Sequence, residues 1–90
     1  MMTKKDEIKM YEESYIFAFG KDRSFFYKND YNTIRTFLSE NYFCDSLYYR
    51  TKLLSTLLHN DSLILPDKNQ RKDFLEKSEK LTIYLKQLPI

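Results

Sequence analysis

A chain with one glycine has few ways to make a tight turn. Gly20 is the single glycine among these 90 residues, the prolines are Pro66 and Pro89, and there is one alanine, Ala18, and no valine. Two-residue hairpin turns depend on residues that tolerate positive φ, glycine above all, so a meander of tight hairpins is excluded. A Gly-rich phosphate loop and a dinucleotide fingerprint are excluded with it. One Cys and one His leave no disulfide framework and no self-contained zinc site. Ninety residues allow one domain, and its apolar content suffices for one core.

Helical periodicity fills most of the chain. Thr3 reads as an N-cap with Asp6 and Glu7 in the first turn, and Ile8, Tyr11, Tyr15 and Ala18 recur on one face, which predicts a helix over residues 4–19 stopped by Gly20. Asn29-Asp30 caps a second helix over 31–41 carrying Ile34, Phe37 and Leu38. Asp45-Ser46 starts a third over 46–59, ending at Asn60; its wide apolar arc of Leu47, Leu54 and Leu58 with Tyr49, Leu53 and Leu57 beside them makes it the central, most buried element. Asp67-x-x-Gln70 has the form of a capping box for a fourth over 68–87, with a seam of Phe74, Leu81, Leu85 and Leu88 and acid-before-base pairs Asp73/Lys77 and Glu76/Lys80. The fold class is mainly α, a compact bundle of about four helices.

An α+β alternative competes. Residues 15–19 and 24–27 are rich in strand-forming aromatics around a Gly-Lys-Asp-Arg turn, which reads as an aromatic β-hairpin over 15–27. Residues 62–65 read as extended or a short strand, since Pro66 disfavours helix at Leu65.

Catalytic chemistry finds no foothold. Cys44 and His59 are the sole nucleophile–base combination, and fifteen residues apart on one helix they lie about 22 Å from each other. A dyad needs hydrogen-bond contact, so Cys44 is expected to be a small buried apolar group and His59 a helix-end residue. The acids Glu12, Glu13, Glu76 and Glu79 alternate with lysines as on solvated faces. No catalytic residue, cofactor site, metal site or small-molecule substrate is expected.

Aromatic and basic residues interleave more suggestively. The sequence holds eight Tyr, seven Phe and no Trp, and several rings are adjacent: Phe25-Phe26, Tyr42-Phe43 and Tyr48-Tyr49. Neighbours on a helix point about 100° apart, so one face cannot bury both members of a pair. Phe25, Phe26, Tyr27 and Lys28, together with Tyr42, Tyr48, Tyr49, Arg50 and Lys52, are therefore candidate contacts to a partner. Tyr and Arg dominate protein hot spots, and rings with cations also hold single-stranded RNA or DNA. A helix-turn-helix over 34–58 would expose Ser46, Arg50, Thr51 and Ser55, without the usual glycine turn.

Asp30-Tyr31-x-x-Ile34-x-x-Phe37-Leu38-x-x-Asn41, preceded by Asp22-x-Ser24-Phe25, resembles a stretch of the small sterile-alpha-motif-like domains of the YozE type. The likeness covers under a third of the chain, Phe26 stands where that pattern has Pro, and no role is transferred from it.

The formal net charge is +2, and basic and acidic residues nearly balance in each third of the chain. No basic tail grips nucleic acid by charge alone. No apolar run approaches the ~20 residues of a membrane span, and the polar N-terminal stretch lacks a signal-peptide core; a cytoplasmic location, in the host if phage-encoded, is expected. Lys, Asn, Tyr, Phe and Ile-heavy usage is what A/T-rich coding gives, as in accessory proteins of phages and mobile elements. The expected function is a non-enzymatic inhibitor that binds a larger protein or ribonucleoprotein, for example an anti-CRISPR or other anti-defence protein. An RNA- or DNA-binding module is the alternative.

Overall fold

The computed structural model describes residues 3–19 and 24–88, and the described chain is mainly helical. Its elements are α1 (Lys4–Phe19), α2 (Ser24–Lys28), α3 (Tyr31–Asn41), α4 (Cys44–Ile64) and α5 (Lys68–Gln87), with no strand among the described residues.

Local chemistry sets the helix starts. Thr3 Oγ1 accepts from the Asp6 N–H at 3.2 Å, and Asp6 Oδ2 accepts from the Thr3 N–H at 3.2 Å, a reciprocal capping box. Asp30 Oδ1 accepts from the Thr33 N–H at 2.9 Å and opens α3. Asp67 Oδ1 accepts from the Asn69 N–H at 3.0 Å and opens α5. Arg71 Nη1 donates to the carbonyls of Leu65 and Pro66 at 2.6 and 2.8 Å, tying the three-residue connection to α5.

The bounds expected for α1, α3 and α5 match the structure, whereas the middle of the chain differs from expectation in four places. Residues 15–19 end α1 and residues 24–27 lie in α2, so the strands of the hairpin alternative are helical; its turn and Gly20 lie outside the described residues, as does Pro89. The α4 helix starts at Cys44, not at Ser46, after the N-cap Phe43, which offers no side-chain cap. Nor does it stop at Asn60: Asp61, Ser62, Leu63 and Ile64 are helical, and only Leu65 is extended, at φ −65° and ψ 139°. Pro66 thus restricts its immediate neighbour and no more. Asp61 and Ser62 look like helix breakers, but Ser62 Oγ donates to the His59 carbonyl at 2.5 Å and Asp61 accepts from the Tyr27 hydroxyl, so both fit inside a helix. Finally, Cys44 is exposed, with φ of 57°, and His59 sits five residues before the end of α4.

A three-residue link makes α4 and α5 antiparallel neighbours, and their contact is the most extensive between the described helices; α1 and α3 pack on α4, and α3 also on α5. The core joins Phe26 of α2, Ile34 and Leu38 of α3, Leu53, Leu54, Leu57 and Leu58 of α4, and Phe74 and Leu81 of α5. Each such side chain is worth about 1.5–3 kcal/mol of burial.

A chain of rings runs along the edge of this core. Phe25 meets Phe26 edge-on at 5.1 Å between centroids, Phe37 lies 5.0 Å from Phe25 and 5.8 Å from Phe26, and Tyr42 continues the row 6.1 Å from Phe37. Edge and tilted contacts at these separations are the favourable ones for aromatic pairs. On the other side Tyr27 packs on Phe74 at 4.6 Å.

Candidate interaction surface

The expected contact residues separate into an inward and an outward set. Phe26 is fully buried; Phe25, Tyr27 and Tyr42 are half-buried in the aromatic row or against Phe74. These four are structural rings. They fold inward because α2 is only one turn long and lies on the core, so both members of the Phe25-Phe26 pair find cover. Tyr48 is also half-buried. Arg50 is half-buried: its guanidinium lies 4.2 Å over the Tyr42 ring and its Nε donates to Ser46 Oγ at 3.0 Å. The negative ring face supplies the attraction, although Nη1 is shut from solvent with no hydrogen-bond partner among the described residues.

Lys28, Tyr49 and Lys52 remain at the surface. Lys28 ends α2, while Tyr49, 52% exposed, and Lys52 share one stripe of α4. In the other two adjacent pairs one ring turns in and one out: Tyr42 and Phe43 are both extended, so their side chains alternate and Phe43 is 79% exposed, while on α4 Tyr48 turns in and Tyr49, expected on the buried arc, turns out. Thr51 and Ser55 are buried, so the face that a DNA-reading α4 would present does not exist.

Exposed apolar residues that the basic–aromatic pattern did not single out extend the surface. Leu63 is 68% exposed on α4, and Leu75 and Ile83 are 39% and 57% exposed on α5. For the two on α5 the signal was legible: Leu75 lies one residue past Phe74 and Ile83 two past Leu81, each turned off the α5 seam.

Leu75 and Ile83 line a cleft of about 600 Å³ between α4 and α5. Its floor is built of small hydroxyl residues that bond to one another. Ser55 Oγ lies 2.8 Å from Thr82 Oγ1 and donates to the Ser78 carbonyl at 3.1 Å; Ser78 Oγ donates to the Ser55 carbonyl at 2.9 Å. The hydroxyls are therefore satisfied by the packing itself. His59 and Glu79 stand on opposite walls, with Leu75 and Ile83 along the α5 rim. Ser, His and Glu line one cleft, but among the described residues the His59 ring makes no hydrogen bond to a hydroxyl, so they form no nucleophile–base pair.

Electrostatics elsewhere serve the fold. Lys77 is buried, with Nζ 2.8 Å from Asp73 Oδ2, 3.3 Å from the Tyr27 carbonyl and 5.5 Å over the Phe74 ring. It thus anchors the C-terminal end of α2 to α5. The Asp30 carboxyl is held below the ordinary 3.8 by the bonds it accepts at Thr33, helped by the charges of Lys77 and Lys80. No cluster of His, Cys, Asp and Glu suited to a metal occurs among the described residues, and no described helix is long and apolar enough to cross a membrane.

No family model, no curated protein and no solved structure matches the chain, so the short likeness over residues 22–41 stands without support from any of them.

Proposed function

We propose that the chain is a small non-enzymatic binding protein that acts by covering a functional surface of a larger protein or ribonucleoprotein. The carrying observation is the solvent-facing apolar group of Tyr49, Leu63, Leu75 and Ile83, set on two rigid helices over an otherwise closed core. Apolar patches of this kind usually mark contact with a partner. The A/T-rich character of the sequence favours a phage or mobile-element source, and an inhibitor of a host defence machine, such as an anti-CRISPR protein acting on an RNA-guided nuclease, is the sharpest form of the proposal. Tagged protein exposed to host lysate is expected to recover one host protein or ribonucleoprotein at near-equal stoichiometry; recovery of itself alone overturns the proposal.

One observation favours the RNA- or DNA-binding alternative: Tyr49 and Lys52 place a ring and a cation three residues apart on one exposed stripe. Against it, Phe25, Phe26 and Tyr27 are taken up by packing. Binding to single-stranded RNA that weakens with salt supports it, and absence of a mobility shift at ~50 mM salt removes it.

A further inference from the structure

From the cleft between α4 and α5 we infer that it receives one amphipathic helix of a partner protein, a helix with an apolar stripe and acidic residues near both ends. The inference rests on the chain being a binding protein and names the chemistry of what it binds.

The shape comes first. Two antiparallel helices leave a long shallow cleft, the geometry in which helix-in-groove recognition works. The floor is made of Ser55, Ser78 and Thr82, whose hydroxyls bond internally and ask nothing of a ligand. Small floor residues leave depth for a large apolar side chain to insert. Leu75 and Ile83 line the α5 rim, and Leu63 and Tyr49 lie on the exposed stripe of α4. An apolar stripe laid along the cleft would cover all four.

The charges give the rest. On α5 the exposed residues Lys72, Leu75, Glu79, Ile83 and Lys86 recur at steps of three or four and so form one stripe. Lys72 and Lys86 are fourteen residues apart, about 21 Å along the helix. The contact of Ser55 with Ser78 and Thr82 fixes the antiparallel register, which puts Lys52 of α4 at the Lys86 end and Leu63 at the Lys72 end. Both ends of the face are thus cationic, with Glu79 the one acid between them among the described residues; Asp45 lies beyond the paired span, and Glu76 is matched by Lys80 at 3.0 Å. Nucleic acid would need a continuous cationic track, and Glu79 interrupts this one. A helix of about four turns with carboxylates near each end and an apolar centre fits it.

The test uses the full chain and a displayed library of helices about 18 residues long, slightly more than the span of the cleft. Enriched helices are expected to carry apolar residues at three-to-four spacing with Asp or Glu toward both ends. Ile83→Asp and Leu75→Asp, at exposed positions and checked for unchanged melting, should each weaken the selected helices by about tenfold or more. The Lys52→Glu/Lys86→Glu protein should weaken them as well and prefer a helix whose acids at that end are replaced by Lys. No enrichment, enrichment of basic helices, or binding indifferent to Ile83→Asp overturns the inference. So does self-association of the wild type that Ile83→Asp abolishes, since a second copy would then fill the cleft. A cellular partner still captured by the Ile83→Asp protein removes this face while leaving the proposed function standing; the lack of any cellular partner removes both.

Discussion

The hydroxyl of Tyr27 donates a hydrogen bond to Oδ2 of Asp61, a carboxylate buried on α4. Thirty-four residues of chain separate the two, so this bond holds the short α2 helix on the body of the molecule. Tyr27→Phe should lower stability by about 1–3 kcal/mol, because a buried charged acceptor loses a donor. Asp61→Ala should cost a similar amount, and the double variant less than the sum, with a coupling of about 0.5–3 kcal/mol. Urea unfolding of the four proteins measures this; a neutral Tyr27→Phe shows that this bond does not hold α2 in place.

Thr51 is fully buried in α4, and among the described residues its Oγ1 has no hydrogen-bond partner. Thr51→Val removes the hydroxyl and keeps the shape. An unsatisfied buried polar group costs about 1–3 kcal/mol, so the variant should unfold at higher urea. Loss of stability would mean that the hydroxyl has an acceptor.

Cys44 takes φ of 57° at the entry to α4. A side chain in this left-handed region costs roughly 1–2 kcal/mol, which glycine avoids. Cys44→Gly should be neutral to about 1 kcal/mol stabilising, since the added freedom of the unfolded chain offsets part of the gain. Cys44→Ala should leave stability nearly unchanged. A strongly destabilised Cys44→Gly contradicts the assigned backbone conformation.

Asp30 caps α3, and its carboxyl lies below the ordinary value because the charged form accepts bonds at Thr33. A lowered folded-state value means that the stabilisation is complete above the unfolded pKa near 3.8 and is lost as pH falls through the folded one. Asp30→Asn should keep most of the cap and flatten the acid limb of the stability–pH curve, whereas Asp30→Ala should lose the cap at every pH. Parallel acid limbs for the wild type and Asp30→Asn would place the pH dependence elsewhere.

Where the sequence carried its own signals, the fold was legible. Thr3, Asp30 and Asp67 are side-chain caps, and the periods after them give α1, α3 and α5 their bounds. The middle resisted because tertiary contacts decide it. Ser24-Phe25-Phe26-Tyr27 favours strand locally, yet Phe26 enters the core and Tyr27 finds Asp61, and those long-range contacts select a helical turn. Asn60-Asp61-Ser62 looks like a stop, but Asp61 has its partner on α2, which α4 itself cannot reveal. The surface was half legible for the same reason. Adjacency of rings correctly required one of Tyr48 and Tyr49 to face out, but for Phe25 and Phe26 it failed because one turn of helix can be covered on both sides. Leu63 went unread once α4 was ended at Asn60.

The most direct test of the central proposal is the composition of what the chain captures from host lysate, weighed by quantitative mass spectrometry for the wild type and for Ile83→Asp. The account predicts one protein or ribonucleoprotein at near-equal stoichiometry with the wild type and its loss with Ile83→Asp at unchanged melting temperature; wild-type chain that recovers only itself contradicts it.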